Sequence, residues 1–592
     1  MKPVIRTPPH FMYRLAFLTL ACLITTLSAN QSAFSQQITP RGAALDDYLT
    51  RLVPAGFSGS VLVAESTGIV LNKGYGWADI QTERPVAPTT IFSIGSLTKQ
   101  FTAAGILLLE SQGELNLQDT LGRFFPDAPA DKLPITIHQL LSHTSGLRFG
   151  VISGTAELPR DEVTRRILSS KLNSTPGPQF AYSNAGYKLL AAIIEIASGM
   201  TYPQYLQSSI FVPLGMRSTG FTQDPIHDSN RVARGYNEWK DLGSWESHRK
   251  GWLHGSGNVV STTGDLHTWF SALKPGSPRP PVSARKLFTP HAEISDSRAY
   301  GYGFYIVKTS DGDEVILHGG DTQGYHSELR WYTEDDILII ILTNFEMYDE
   351  SGVGLGLHKR VVASNLHRLI QGEEVPLPPA TPEIAVPPEV RGTYLLPDGS
   401  SFHVNDLGPF VTIGGKGQTA LDLLMKPADS TRERCSSLNL RSDRIITALS
   451  EEDSSRLASS VSEGEQFFLS FWPDEWAQFM EEFGAYISHE VYGTYPLPWD
   501  SHMSRTYVRL VFENRSMDYQ FTWSGNTLYE TVWDVGKPYP LIYSLIPSSA
   551  SEFAIFDMVT GGEVGFRWGP ADAASPAKLI FPGGISATKR AP

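Results

Sequence analysis

Phe92-Ser93-Ile94-Gly95-Ser96-Leu97-Thr98-Lys99 leads into Phe101-Thr102-Ala103-Ala104-Gly105-Ile106-Leu107-Leu108-Leu109, an apolar run that ends at Gly113. A run of that length and composition predicts a buried helix with Ser96 at its N-terminus. Lys99 then stands one turn on, on the same face, where an i, i+3 amine reaches the serine hydroxyl. The helix N-terminus favours the negative charge that builds as the serine loses its proton and attacks. Ser-x-x-Lys recurs at Ser247, Ser271, Ser283, Ser575 and Ser586, so the spacing alone does not select Ser96; the apolar helix behind it does.

Three more segments follow in order: Leu140-Leu141-Ser142-His143-Thr144-Ser145-Gly146-Leu147, Tyr182-Ser183-Asn184 and His318-Gly319-Gly320. Together with the first, they resemble the serine β-lactamase and penicillin-binding-protein superfamily, in the branch that holds class C β-lactamases, DD-peptidases, D-aminopeptidases and related esterases. The resemblance spans roughly residues 40–372. It implies a nucleophile at Ser96, proton transfer by Lys99 and Tyr182, and a substrate and oxyanion site formed by Asn184, His318, Gly320 and Asp321. It calls for no cofactor and no metal.

Tyr182 precedes a helical pattern in which Leu189, Leu190, Ile193, Ile194 and Ala197 recur until Gly199. Asn184 is placed either to cap that helix or to face the cleft. A phenol with its ordinary pKa of about 10 is a poor base at neutral pH, and cations at Lys99 and His318 are expected to favour its phenolate. After a strand, the glycines of His318-Gly319-Gly320 let the backbone pass close to a substrate. An oxyanion is then expected between the backbone N–H groups of Ser96 and Asp321. This segment departs from the family's Lys-Thr-Gly form, since His318 is mostly neutral near pH 7 and Gly319 has no hydroxyl. Both changes weaken binding of a substrate carboxylate and favour esters or D-amino-acid amides over β-lactams. His143 reads as structural, because Ser145-Gly146 after it signals a turn. Gly255-Ser256-Gly257-Asn258 resembles the family's glycine-rich turn, with Trp252 an expected aromatic contact on the cleft wall.

Residues 1–35 carry Lys2, Arg6 and Arg14 ahead of an apolar stretch from Leu15 to Leu27, the pattern of a secretory signal with Ala33-Phe34-Ser35 at its end. Its removal would take the net charge from −14 to −17. Export to the periplasm or the medium is the expected localisation, and the only expected membrane contact is through that signal. No basic domain marks a nucleic-acid partner. The expected partner is a small-molecule ester, amide or peptide. Cys435 would be the one cysteine left in the mature chain, and it reads as a buried packing residue.

At 592 residues the chain is too long for one core. The catalytic region, residues 40–372, reads as an early hairpin, a helical middle and late strands. That order predicts an α+β fold, an antiparallel sheet flanked by helices with a helical lobe. A proline-rich connector follows over residues 373–388. Beyond it Glu389-Val390-Arg391-Gly392-Thr393-Tyr394 recurs as Glu490-Val491-Tyr492-Gly493-Thr494-Tyr495, an offset of 101 residues. Two small all-β units, residues 389–489 and 490–592, are therefore expected, with the helical-looking stretch 474–482 as a spacer between the repeats. Resemblance to D-aminopeptidases makes them lipocalin-like barrels.

No His-Glu-x-x-His, Gly-x-Ser-x-Gly elbow, P-loop or dinucleotide fingerprint occurs. The sequence reads as an exported serine hydrolase. A β-lactamase or DD-peptidase activity and a non-catalytic peptidoglycan- or peptide-binding role stand as alternatives.

Overall fold

The computed structural model describes residues 36–149, 158–222, 228–237, 240–244, 255–274, 276–277, 281–309, 312–346, 359–378, 386–407, 410–470, 472–497, 500–533, 541–547, 549, 551–556, 563–571 and 575–590. The expected signal segment 1–35, Trp252 and residues 379–385 of the connector lie outside these.

The catalytic region is built on a nine-stranded sheet: β1 (Gln37–Ile38), β2 (Gly59–Glu65), β3 (Gly68–Tyr75), β4 (Ala292–Ser295), β5 (Arg298–Tyr300), β6 (Tyr305–Lys308), β7 (Glu314–Thr322), β8 (Tyr325–Tyr332) and β9 (Ile337–Thr343). Their spatial order is β1-β3-β2-β9-β8-β7-β6-β5-β4, with every pairing antiparallel. The late strand β9 lies beside the early hairpin, so the two ends of the region share one sheet, as the element order predicts. Alternation along β9 sorts its side chains. Leu338, Ile340 and Leu342 join a core with the helices α2 (Thr98–Ser111) and α3 (Asn184–Ser198). Ile339 and Ile341 face α1 (Ala43–Leu52) and α4 (Lys359–Ile370).

Residues 389–592 are not divided by the repeat. Gly392 and Gly493 share φ 134, so the repeated segment does recur as one local conformation. Their strands go to different sheets, however. Gly392–Leu395 pairs with Ser586–Lys589 near the chain's end. It thereby joins a nine-stranded sheet whose two edge strands, Leu541–Ser544 and Ile546–Pro547, are separated only by Leu545. The sheet therefore curls round on itself. Tyr486–Leu497 instead opens a separate four-stranded meander that ends at Trp533.

Between them, two further strands of the nine-stranded sheet, Ser401–Leu407 and Phe410–Lys416, are followed by helices where an all-β unit is expected: Gln418–Met425, Asp429–Ser450, Ser454–Ser459 and Trp472–Phe483. In the second of these helices Cys435, Leu438, Ser442, Ile445, Ile446, Ala448 and Leu449 are buried, but its first half supplies only Cys435 and Leu438, which explains why its period is faint in the sequence. Cys435 is buried and its thiol is pushed up to about 11 by that burial. Val375 and Val390 pack into the core that also holds Tyr48, Leu366, Tyr394 and Phe402. One apolar cluster thus ties α1 and α4 to the C-terminal sheet.

Candidate active site

Ser96 lies in a 3-10 turn, Gly95–Leu97, that runs directly into α2, rather than in the first turn of the α-helix itself. Two glycines make this turn. Gly95 has φ 51, and a side chain on it would sit 2.9 Å from the Asp321 nitrogen. A Cβ on Gly320 would lie 2.1 Å from the Ile94 carbonyl oxygen and 2.8 Å from the Ser96 nitrogen. The glycine strand of β7 therefore touches the backbone of the nucleophile turn, and no other residue fits there.

Lys99 is fully buried, and its Nζ donates to Ser96 Oγ at 3.1 Å, to Asn184 Oδ1 at 2.7 Å and to the Ser256 carbonyl at 3.0 Å. The Gly255–Asn258 turn that supplies this carbonyl is anchored on α2, where Thr102 Oγ1 donates to Gly255 O at 2.8 Å and Val259 N donates to Thr98 Oγ1 at 3.1 Å. The three acceptors round Lys99 are neutral. Burial, followed by the charge of Lys188, pushes the amine well below its usual value and so favours the free base.

The α3 helix is capped by Ser183, whose Oγ accepts from Gly186 N at 3.1 Å. Asn184 is the first helical residue, not the cap, and its amide is left to hold Lys99. The Tyr182 hydroxyl lies on the Ser96 side of the cleft, and Lys99 Nζ stands 4.8 Å from the centre of its ring. The phenolate expected from sequence is not favoured here: burial drives the phenol well above its ordinary value, and Tyr305, Tyr187 and Asp321 push the same way. Tyr182 is therefore a phenol beside a depressed lysine.

His318 also differs from its expected role. Its Nδ1 lies 2.6 Å from Gly319 O and its Nε2 3.1 Å from the Tyr300 hydroxyl, so both ring nitrogens are occupied by protein. Burial, with Lys99 adding, pushes it down to about 3. It forms a neutral wall with Tyr305, whose ring centre is 5.3 Å away. Asp321 is the last residue but one of β7, and although burial alone would raise its carboxyl, Lys359 and His326 hold it below the usual range.

Sequence reasoning missed two groups, Phe149 and Lys188, and did not say what a third, His143, holds in place. His143, at φ 58 and fully buried, accepts the Ser183 N–H on Nδ1 at 3.0 Å and lies 4.2 Å from the Tyr182 ring. It is structural, as expected, but what it holds is the Tyr182 segment. Phe149, 62% exposed, sits 6.0 Å from Tyr182 and gives the cleft mouth an aromatic lip. Lys188, one helical turn past Asn184 and 4% exposed, has no acidic partner among the described residues. A lysine on an apolar helix carries no motif that would flag it.

Among the described residues no cluster of side chains could hold a metal ion, and no helix is long and apolar enough to cross a membrane.

A family model described as Beta-lactamase matches residues 48–362. Penicillin-binding protein 4* of Bacillus subtilis (strain 168) is 29% identical over 409 residues, covering 64% of this chain and 87% of that protein. Among solved structures, the octameric penicillin-binding protein homologue from Pyrococcus abyssi aligns over 93% of this chain and 100% of its own, at 19% identity and a TM-score of 0.49. The D-amino acid amidase from Ochrobactrum anthropi SV3 complexed with D-phenylalanine covers 56% of this chain and 98% of its own, at 24% identity and a TM-score of 0.48.

Proposed function

Since the chain belongs to the beta-lactamase family of serine hydrolases, we propose that it is an exported enzyme that cleaves ester or amide bonds through an acyl-enzyme on Ser96, with small esters and D-amino-acid amides or peptides as its substrate class. The observation that carries this is the contact of Lys99 Nζ with Ser96 Oγ at 3.1 Å, made by an amine that burial holds in reach of its free-base form.

Lys99 takes the Ser96 proton as Oγ attacks the substrate carbonyl. The oxyanion accepts from the N–H groups of Ser96 and Asp321, each such donor being worth about 10²–10³ in rate. The proton now on Lys99 reaches the departing alcohol or amine through the Tyr182 phenol, which relays rather than abstracts. In the second half-reaction water enters the vacated position and attacks the acyl carbon, its proton passing through the Tyr182 phenol to Lys99, which returns it to Ser96 Oγ as the ester bond breaks and the carboxylic acid leaves.

The neutral His318 supports substrates without a carboxylate at that wall, and Phe149 favours an apolar group at the mouth. Residues 1–35 support export. The test is hydrolysis of p-nitrophenyl esters, D-alanyl p-nitroanilide and nitrocefin by residues 36–592 and by Ser96→Ala. Turnover of esters or D-amides well above nitrocefin, lost in Ser96→Ala, is the expected result. Full activity in Ser96→Ala would overturn the proposal.

A further inference from the structure

The β7–β8 hairpin is joined by the two residues Gln323 and Gly324, so Thr322 and Tyr325 close it as a hydrogen-bonded pair. Antiparallel alternation then makes Asp321 and His326 a non-hydrogen-bonded pair and Gly320 and Ser327 a hydrogen-bonded one. The Gly320 carbonyl therefore points toward β8, while the N–H at the other end of the same peptide, that of Asp321, points to the opposite edge. That edge faces the nucleophile turn, with the Asp321 nitrogen against Gly95.

A buried cation sits on the carbonyl end of this peptide. Lys359, at the described start of α4 and 3% exposed, donates from Nζ to Gly320 O at 3.1 Å and pairs with the Asp321 carboxylate. His326 Nδ1 fixes the same carboxylate at 2.7 Å. The strand is shaped to admit the lysine: a Cβ on Gly319 would lie 3.2 Å from Lys359 Nζ and 2.9 Å from Glu328 Oε2. The missing hydroxyl at position 319 thus makes room for a charge behind the strand.

We infer that Lys359 is a positioning residue of the oxyanion site, whose ammonium polarises the Gly320–Asp321 peptide through its carbonyl so that the Asp321 N–H donates more strongly to the tetrahedral intermediate. Hydrogen bonds in a chain strengthen one another by about 10–30%. On a donor worth about 10²–10³ in rate, that strengthening corresponds to about a two- to eightfold change in acylation.

The inference rests on the proposed Ser96 acyl-enzyme. It is tested with Lys359→Met, which removes the bond and the charge, and Lys359→Gln, which keeps an N–H donor without the charge. Burst kinetics with p-nitrophenyl acetate give the acylation rate. The infrared absorption of the acetyl-enzyme carbonyl, labelled with carbon-13, reports the strength of the hydrogen bonds it accepts. Acylation should fall at least two- to eightfold in Lys359→Met and less in Lys359→Gln, with substrate binding unchanged and the carbonyl absorption moved to higher wavenumber in the same order. A folded variant with the wild-type carbonyl position overturns the inference, whether its rate is normal or has fallen together with its thermal stability. If Lys359→Met does not fold, Lys359→Gln decides by the same two readouts. A wild-type enzyme that forms no acetyl adduct on Ser96 instead overturns the catalytic reading on which the inference stands.

Discussion

Replacing Lys188 by methionine should stabilise the enzyme at neutral pH and leave it no more stable in alkali. The ammonium is 4% exposed without an acidic partner among the described residues, and burial pushes its pKa down to about 8 from 10.5. Below pH 8 the folded and unfolded chains both carry the proton, so the native state bears the whole cost of an unpaired buried charge. Between pH 8 and 10.5 the unfolded chain holds a proton that the native chain has lost, so wild-type stability rises with pH across that window. At about 1.36 kcal/mol per pH unit the gap amounts to about 3 kcal/mol. Methionine has a similar volume and no charge, so Lys188→Met should be more stable than wild type by up to about 3 kcal/mol at pH 7. The difference should close by pH 10.5. Urea unfolding of both proteins at the two pH values measures it. The same variant removes the like charge that helps depress Lys99, so the acid limb of its pH–kcat/KM profile should move to higher pH. A stability difference independent of pH, or a loss of stability at pH 7, would refute the reading of Lys188 as a buried unpaired cation.

Gly320→Ala places a methyl group 2.1 Å from Ile94 O and 2.8 Å from Ser96 N, so kcat should fall by about 10² or more while far-ultraviolet circular dichroism is unchanged. His143→Leu leaves the Ser183 N–H without its acceptor, which should cost about 1–3 kcal/mol of stability and lower kcat through a misplaced Tyr182. His143→Asn, which offers an acceptor and tolerates φ 58, should retain more of both in thermal melts and ester kinetics. His318→Lys restores a cation to the cleft wall, and the ratio of nitrocefin to ester kcat/KM should rise about tenfold or more, the worth of one charge-assisted hydrogen bond.

The catalytic unit was legible because its signals are local. The apolar run after Lys99, the helical spacing from Leu189 to Ala197 and the β-branched run of β9 each announce their element, and four ordered motifs place Ser96, Lys99, Tyr182 and Asn184 near one another. What failed were statements that depend on a side chain's surroundings. The helix cap fell to Ser183 rather than Asn184 because both are good capping residues and only the tertiary bond from Lys99 decides between them. The state of Tyr182 was misjudged because a nearby cation is visible in a motif, whereas burial is not. His318 lost its expected role to Tyr300, a strand residue that no motif ties to it. The C-terminal region misled because a repeat of sequence does not fix which strands pair: Gly392–Leu395 finds its partner at residues 586–589, and the long helix Asp429–Ser450 has too few apolar residues in its first half to announce itself, whereas the helical-looking stretch 474–482 does lie in a helix.

Mass spectrometry of the Ser96 peptide, after acid quench of the enzyme during turnover of a p-nitrophenyl ester, tests the proposed chemistry most directly. An acyl adduct on Ser96 that forms faster as pH rises through the titration of Lys99, and is absent from Lys99→Met, is the predicted result. Turnover with Ser96 unmodified, or an adduct that forms equally well without the Lys99 amine, would contradict it.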